Sequence, residues 1–164
     1  LREKSWDHVR EGVEVKLYGQ SGTHYLVTGE KGRVDIETKD IWVEGDVKIE
    51  SSNGYLIETS EVNYLGADRR LVSDKEVLLF GPADNSEDEP GSERLQVSGV
   101  GLSAELESNR IYLLNNVKAN KPMKEGMLMA IQSESAEFSG NNKLTKFIRS
   151  VICLYQTLPM ERAN

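Results

Sequence analysis

The side chains that most often do chemistry are few in this sequence and poorly placed for it. His8 and His24 are the only histidines. They stand sixteen positions apart with no cysteine near either, so no metal-ligand spacing exists. Cys153 is the single cysteine and cannot close an internal disulfide. It falls in an apolar column of the sequence and reads as a small packed hydrophobe rather than a nucleophile. Val97-Ser98-Gly99-Val100-Gly101 has the wrong order for a nucleophile elbow and lies in a strand pattern, not a strand-to-helix turn. No phosphate-binding glycine loop is present. Asp35 with Glu37, and Glu134 with Glu137, are pairs of a kind that hydrolyses glycosides. Asp35 and Glu37 alternate with apolar neighbours, however, and so project from the solvent side of a strand, the ordinary place for charge. The sequence therefore offers no catalytic residue, no metal site and no cofactor site, and reads as non-enzymatic.

What remains is the chemistry of apolar surface. Hydrophobic residues make up 38% of 164, enough for a core but lean for a compact globule. The formal charge is −7, of which −4 sits in residues 84–94. No basic stripe exists to neutralise a phosphate backbone, which argues against a nucleic-acid partner. An amphiphile held by its tails is not disfavoured by that charge. No segment approaches the ~18 apolar residues of a membrane span.

The elements that must present this surface come from an internal repeat. Residues 25–49, 55–79, 95–119 and 129–153 align without gaps. Val27, Ile57, Val97 and Ile131 share one apolar column; Val34, Tyr64, Ala104 and Phe138 share a second. Ile41, Leu71 and Ile111 share a third, with Thr145 in the last unit. Val47, Val77, Val117 and Val151 form a fourth, and Ile49, Leu79, Ala119 and Cys153 a fifth. Each unit reads as three short strands with period-two alternation, separated by polar bends such as Glu107–Arg110. In the first unit Val34 and Ile36 point one way, and Arg33, Asp35 and Glu37 the other. A further strand, Val13–Tyr18, precedes it, and residues 5–10 could form one unstable helical turn. The acidic stretch 83–94 reads as a long loop inserted after the second unit. The whole chain, 1–164, is expected to be one all-β domain of stacked antiparallel hairpins, folded over with one apolar face inward.

Several phrases carry a family resemblance. Gly45-Asp46-Val47-Lys48-Ile49, Asn53-Gly54, Leu56-Ile57-Glu58-Thr59 and Tyr64 fit one motif of the LptC/LptA (OstA-like) lipopolysaccharide-transport family. Leu71-Val72-Ser73-Asp74-Lys75-Glu76-Val77 resembles its next strand. Val97-Ser98-Gly99-Val100-Gly101-Leu102 resembles the one after, and favours LptC. The match spans about Val13 to Ala119. The acidic insertion and the length beyond Ala119 depart from the family pattern. The resemblance implies a twisted β-jellyroll, open at its ends. It implies a periplasmic protein that takes lipopolysaccharide from an inner-membrane ABC transporter and passes it to an LptA-like bridge protein. It also implies an N-terminal helical tether to the inner membrane, absent from this chain.

On that basis the lining for lipid A acyl chains is expected from Val27, Val34, Ile36, Ile41, Val43, Val47, Ile57, Tyr64, Leu71, Val77, Val97, Leu102, Ala104, Ile111, Leu113, Val117, Ile131 and Phe138. Taken one by one, each of these reads more readily as plain β-core, and as lining only through the resemblance. The edge strands for partner docking, or for self-association, are expected around Val13, Val15 and Leu17 at one end and Phe147, Val151 and Cys153 at the other. Two other readings use the same residues. One is a solid scaffold that binds no lipid. The other is a polysaccharide-active β-helix, which the uneven unit spacings of 30, 40 and 34 fit poorly.

Overall fold

The computed structural model describes residues 6–19, 22–82, 94–140 and 144–157, with the side chains of 6–11 and of Lys124 left aside. The acidic stretch at 83–93 lies outside the described residues. Eleven strands follow in order: β1 (Trp6–Tyr18), β2 (His24–Asp35), β3 (Ile41–Ser51), β4 (Leu56–Leu65), β5 (Arg70–Phe80), β6 (Gln96–Glu105), β7 (Arg110–Pro122), β8 (Met127–Ser133), β9 (Ser135–Ser139), β10 (Thr145–Ile148) and β11 (Ile152–Thr157). The only helical element among the described residues is a 3-10 turn at Lys124–Gly126. The short helix expected at 5–10 is corrected from Trp6 onward: these residues open β1 and pair with the far end of β2.

The three short strands expected per unit are corrected to long strands, each bent in the middle. β2 runs unbroken from His24 to Asp35, and its pairing with β3 slips between Thr28 and Lys31. The β3–β4, β4–β5, β5–β6 and β6–β7 ladders slip at the corresponding place. A bulge adds a residue, breaks the ladder and turns the strand. Gly45 (φ +83°), Asp46 (φ +42°) and Asn116 (φ +51°) supply the left-handed backbone at these bends. Two hydroxyls replace ladder bonds lost there: Thr59 Oγ1 donates to the Glu76 carbonyl at 2.9 Å, and Ser73 Oγ to the Glu61 carbonyl at 2.7 Å.

The aligned bends fold the sheet into two leaves. On leaf one a single inward row runs Val15–Val27–Ile49–Ile57–Leu79–Val97–Ala119–Ile131–Cys153, each residue opposite the next. On leaf two the row is Val34–Ile41–Tyr64–Leu71–Ala104–Ile111–Phe138–Thr145. The first and fifth columns of the repeat interleave to make one row; the second and third make the other. Beyond Glu134 the leaves separate altogether: β8 and β11 continue leaf one, and β9 and β10 continue leaf two. The inward side chains of both leaves form one hydrophobic cluster.

Candidate lipid-binding furrow

The two rows face each other across a furrow whose floor is the line of bends and whose mouth lies at the hairpin turns. In the middle the furrow is filled by its own lining. The Tyr55 and Phe138 rings meet edge-on with centroids 6.2 Å apart, one from each leaf. Near the β1 end the void lined by Val15, Leu17 and Val27 on one side and Ile41, Val43, Val62, Tyr64 and Leu71 on the other is only about 10 Å³. That is at the lower limit for a single water.

The leaves face each other out of step. β1 and β2 of leaf one lie over β3–β5 of leaf two. Hence, among the described residues, the first strands of leaf two and the last strands of leaf one have nothing opposite them. Val34 is 40% exposed and Ile36 57%, though both belong to the expected lining. At the other end Cys153, on the inward row, is exposed, and so is Tyr155 two residues along the same face; Ile152 and Leu154, on the outer face of the same strand, are also more than half exposed. Each end of the furrow is thus apolar and uncovered, while the middle is closed.

The mouth is fastened by few contacts. Arg69 Nη2 donates to the Tyr18 carbonyl at 2.7 Å, and its Nη1 pairs with Glu107 at 2.6 Å. A Cβ on Gly19 would lie 2.9 Å from the Leu106 carbonyl oxygen, so the backbones of the β1–β2 and β6–β7 corners nearly touch. A Cβ on Gly140 would meet the amide nitrogens of Asn53 and Asn109 at 2.5 Å. Gly19 and Asn53 belong to corners of leaf one, and Leu106, Asn109 and Gly140 to corners of leaf two.

Of the expected lining, Val27, Val43, Val47, Ile57, Leu71, Val77, Val97, Leu102, Ala104, Ile111, Leu113, Val117, Ile131 and Phe138 are buried and inward-facing. Ile41 and Tyr64 are partly buried against them. Of the edge residues, Leu17 is buried, Val13, Val15 and Phe147 are partly buried, and Val151 and Cys153 are exposed. The burial expected for Cys153 is therefore corrected: it does continue the inward row of leaf one, but no second leaf reaches that far. The solvent-side placement of Asp35 is also corrected. Asp35 is buried, and its Oδ1 accepts from the Glu37 and Thr38 amides at 3.0 and 3.2 Å, capping the turn. Among the described residues no group of three His, Cys, Asp or Glu could hold a metal.

Sequence reasoning left several furrow residues out of the lining. Val62 lies past the β4 bulge, which shifts the alternation by one. Leu106, fully buried, stands immediately before the polar bend Glu107–Arg110 and belongs to none of the repeat's apolar columns. Tyr25 is wholly buried, and its hydroxyl has no hydrogen-bond partner among the described residues. Burial, with the Tyr55 phenol close by, pushes its pKa up to about 12; burial raises that of Tyr55 as well.

Comparison with known proteins agrees with this geometry. No curated protein matches the chain in sequence. Among solved structures it is similar to LptH of Pseudomonas aeruginosa, described as the LptA-homologous periplasmic component of the lipopolysaccharide transport device. The TM-score is 0.61 at 12% identity, over 80% of this chain and 94% of that one. At that identity the likeness establishes the jellyroll fold. The family model described as lipopolysaccharide-assembly, LptC-related, matches residues 11–122, from β1 through β7. The chain belongs to this LptC-related family, and its role lies in lipopolysaccharide transport.

Proposed function

We propose that this protein binds lipopolysaccharide by its acyl chains in the furrow and transfers it through the periplasm, from an inner-membrane ABC transporter to an LptA-like bridge protein. The observation that carries the reading is the pair of apolar rows, continuous across the strands and uncovered at both ends. Each methylene removed from water contributes about 0.8 kcal/mol, so chains can be held with no charged contact. Tails entering the middle would replace leaf-to-leaf packing with leaf-to-tail packing, a near-even exchange of apolar contacts. Docking uses the free strand edges: among the described residues β1 pairs only with β2, β10 only with β9 and β11 only with β8. Unpaired edges accept a partner strand by sheet extension. The test is a photo-reactive side chain at Ile111, buried in the leaf-two row, with its outward neighbour Tyr112 as control. Crosslinking of lipopolysaccharide at 111 and not at 112 supports the carrier; no crosslink at either removes it.

The closed middle favours a second reading, a solid docking scaffold that uses the same edges and holds no lipid. It predicts protection at Ile111 with partner binding intact.

A further inference from the structure

Among the described residues, the hydrophobic cluster that lines the furrow holds a buried polar atom that its own fold does not use. Tyr25 is the second residue of β2, just inside the turn that forms part of the mouth, and stands opposite Leu17 and Ser51 in its ladders. Its side chain is 0% exposed and belongs to the inward hydrophobic cluster. Its hydroxyl finds no partner among the described residues. An unpaired buried donor is costly, and phenylalanine would fill the same space without that cost. Tyr55, which also faces inward, lies close enough to raise the Tyr25 pKa further, so the two phenols share one region of the furrow.

Given the carrier reading, on which this inference rests, we infer that the Tyr25 hydroxyl is a specificity element: it donates a hydrogen bond to the ester carbonyl of an acyl chain seated just inside the mouth. Position and chemistry agree. Tails of an amphiphile lie deep and its headgroup stays in water, so ester carbonyls fall at the boundary, just below the turn. In apolar surroundings a donor left unpaired by the wrong ligand discriminates strongly, because nothing else there can satisfy it. The hydroxyl thus selects ester-linked chains over plain alkyl chains.

The test uses the full chain, wild type and Tyr25→Phe, with two fluorescent probes. One is a phospholipid with two ester-linked chains; the other is its ether-linked dialkyl counterpart of equal chain length. Wild type is expected to bind the ester probe about three- to tenfold more tightly than the ether probe, the range of one net hydrogen bond. Tyr25→Phe should bind both alike, keep its affinity for the ether probe and melt at a higher temperature than wild type. An ester preference that persists in Tyr25→Phe overturns the inference, as does an equal loss of affinity for both probes. Equal binding of both probes by wild type also overturns it, and is the result that a buried water as the phenol's partner predicts. Binding of neither probe by either protein overturns the carrier reading and the phenol's role with it.

Discussion

At the scale of single residues, the apolar columns were legible in the sequence because the same positions are apolar in unit after unit of the repeat, even though the units are unevenly spaced. The polar exceptions were not. Asp35 alternates like a solvent-side charge, yet it is buried because the chain turns over it and its carboxylate caps the exposed amides of that turn. Cys153 keeps its column but loses its cover, since burial depends on what lies opposite and not on register alone. Row residues carry ordinary core energetics: Ile57→Ala, at 0% exposure, is expected to cost about 2–5 kcal/mol in urea unfolding. The same truncation at Ile36, 57% exposed, should stay within about 0.5 kcal/mol. Tyr25 adds a pH signature. Its folded-state pKa, raised from 10.0 to about 12, lies above the unfolded value. Below pH 10 the phenol is neutral folded or unfolded and stability does not depend on its titration; as pH rises toward 12 the unfolded chain ionises first and about 2–3 kcal/mol of stability is lost. Tyr25→Phe should flatten alkaline melting curves over that interval; identical curves for the two proteins would show that the phenol ionises as freely folded as unfolded.

The elements were half legible. Period-two alternation and turn residues located the strands, but the bends read as strand ends. A bulge and a terminus both interrupt alternation with glycine and polar residues, and only pairing on both sides tells them apart. Gly45 and Gly12 separate the two demands such a position makes. Both have positive φ, +83° and +78°. A Cβ at Gly45 would come within 2.8 Å of the Glu30 Cβ, whereas at Gly12 it meets nothing within 4 Å. Gly12→Ala therefore costs backbone strain alone, about 1 kcal/mol, and Gly45→Ala strain and a clash, about 2–4 kcal/mol. Equal shifts in denaturation midpoint would mean that the bend is not held by this contact. Where the ladder breaks, Thr59→Val removes the hydroxyl that satisfies the Glu76 carbonyl and is expected to destabilise by about 1–2 kcal/mol despite its matched volume.

For the whole molecule, the repeat announced one inward face, but the offset between leaves could not be read from it. That offset accumulates from strand twist over many strands, and no single residue encodes it. Its consequence is an asymmetry between the ends. The β1 end uncovers the inner face of leaf two, at Val34 and Ile36. The β11 end uncovers that of leaf one, at Cys153 and Tyr155. An edge that carries Ile152, Leu154 and Tyr155 in the open is an aggregation hazard unless a partner covers it, because neither charge nor proline blunts it. Leu154→Lys places an edge-blunting charge on a side chain that is already 52% exposed. It should leave the melting temperature nearly unchanged while abolishing capture by an LptA-like bridge protein and any end-to-end self-association seen in sedimentation. Tyr18→Lys, at the β1 end and 62% exposed, should spare capture if the β11 end alone faces the bridge. Loss of capture in Tyr18→Lys with retention in Leu154→Lys would reverse the direction of assembly, and with it the direction of the lipid transfer proposed above.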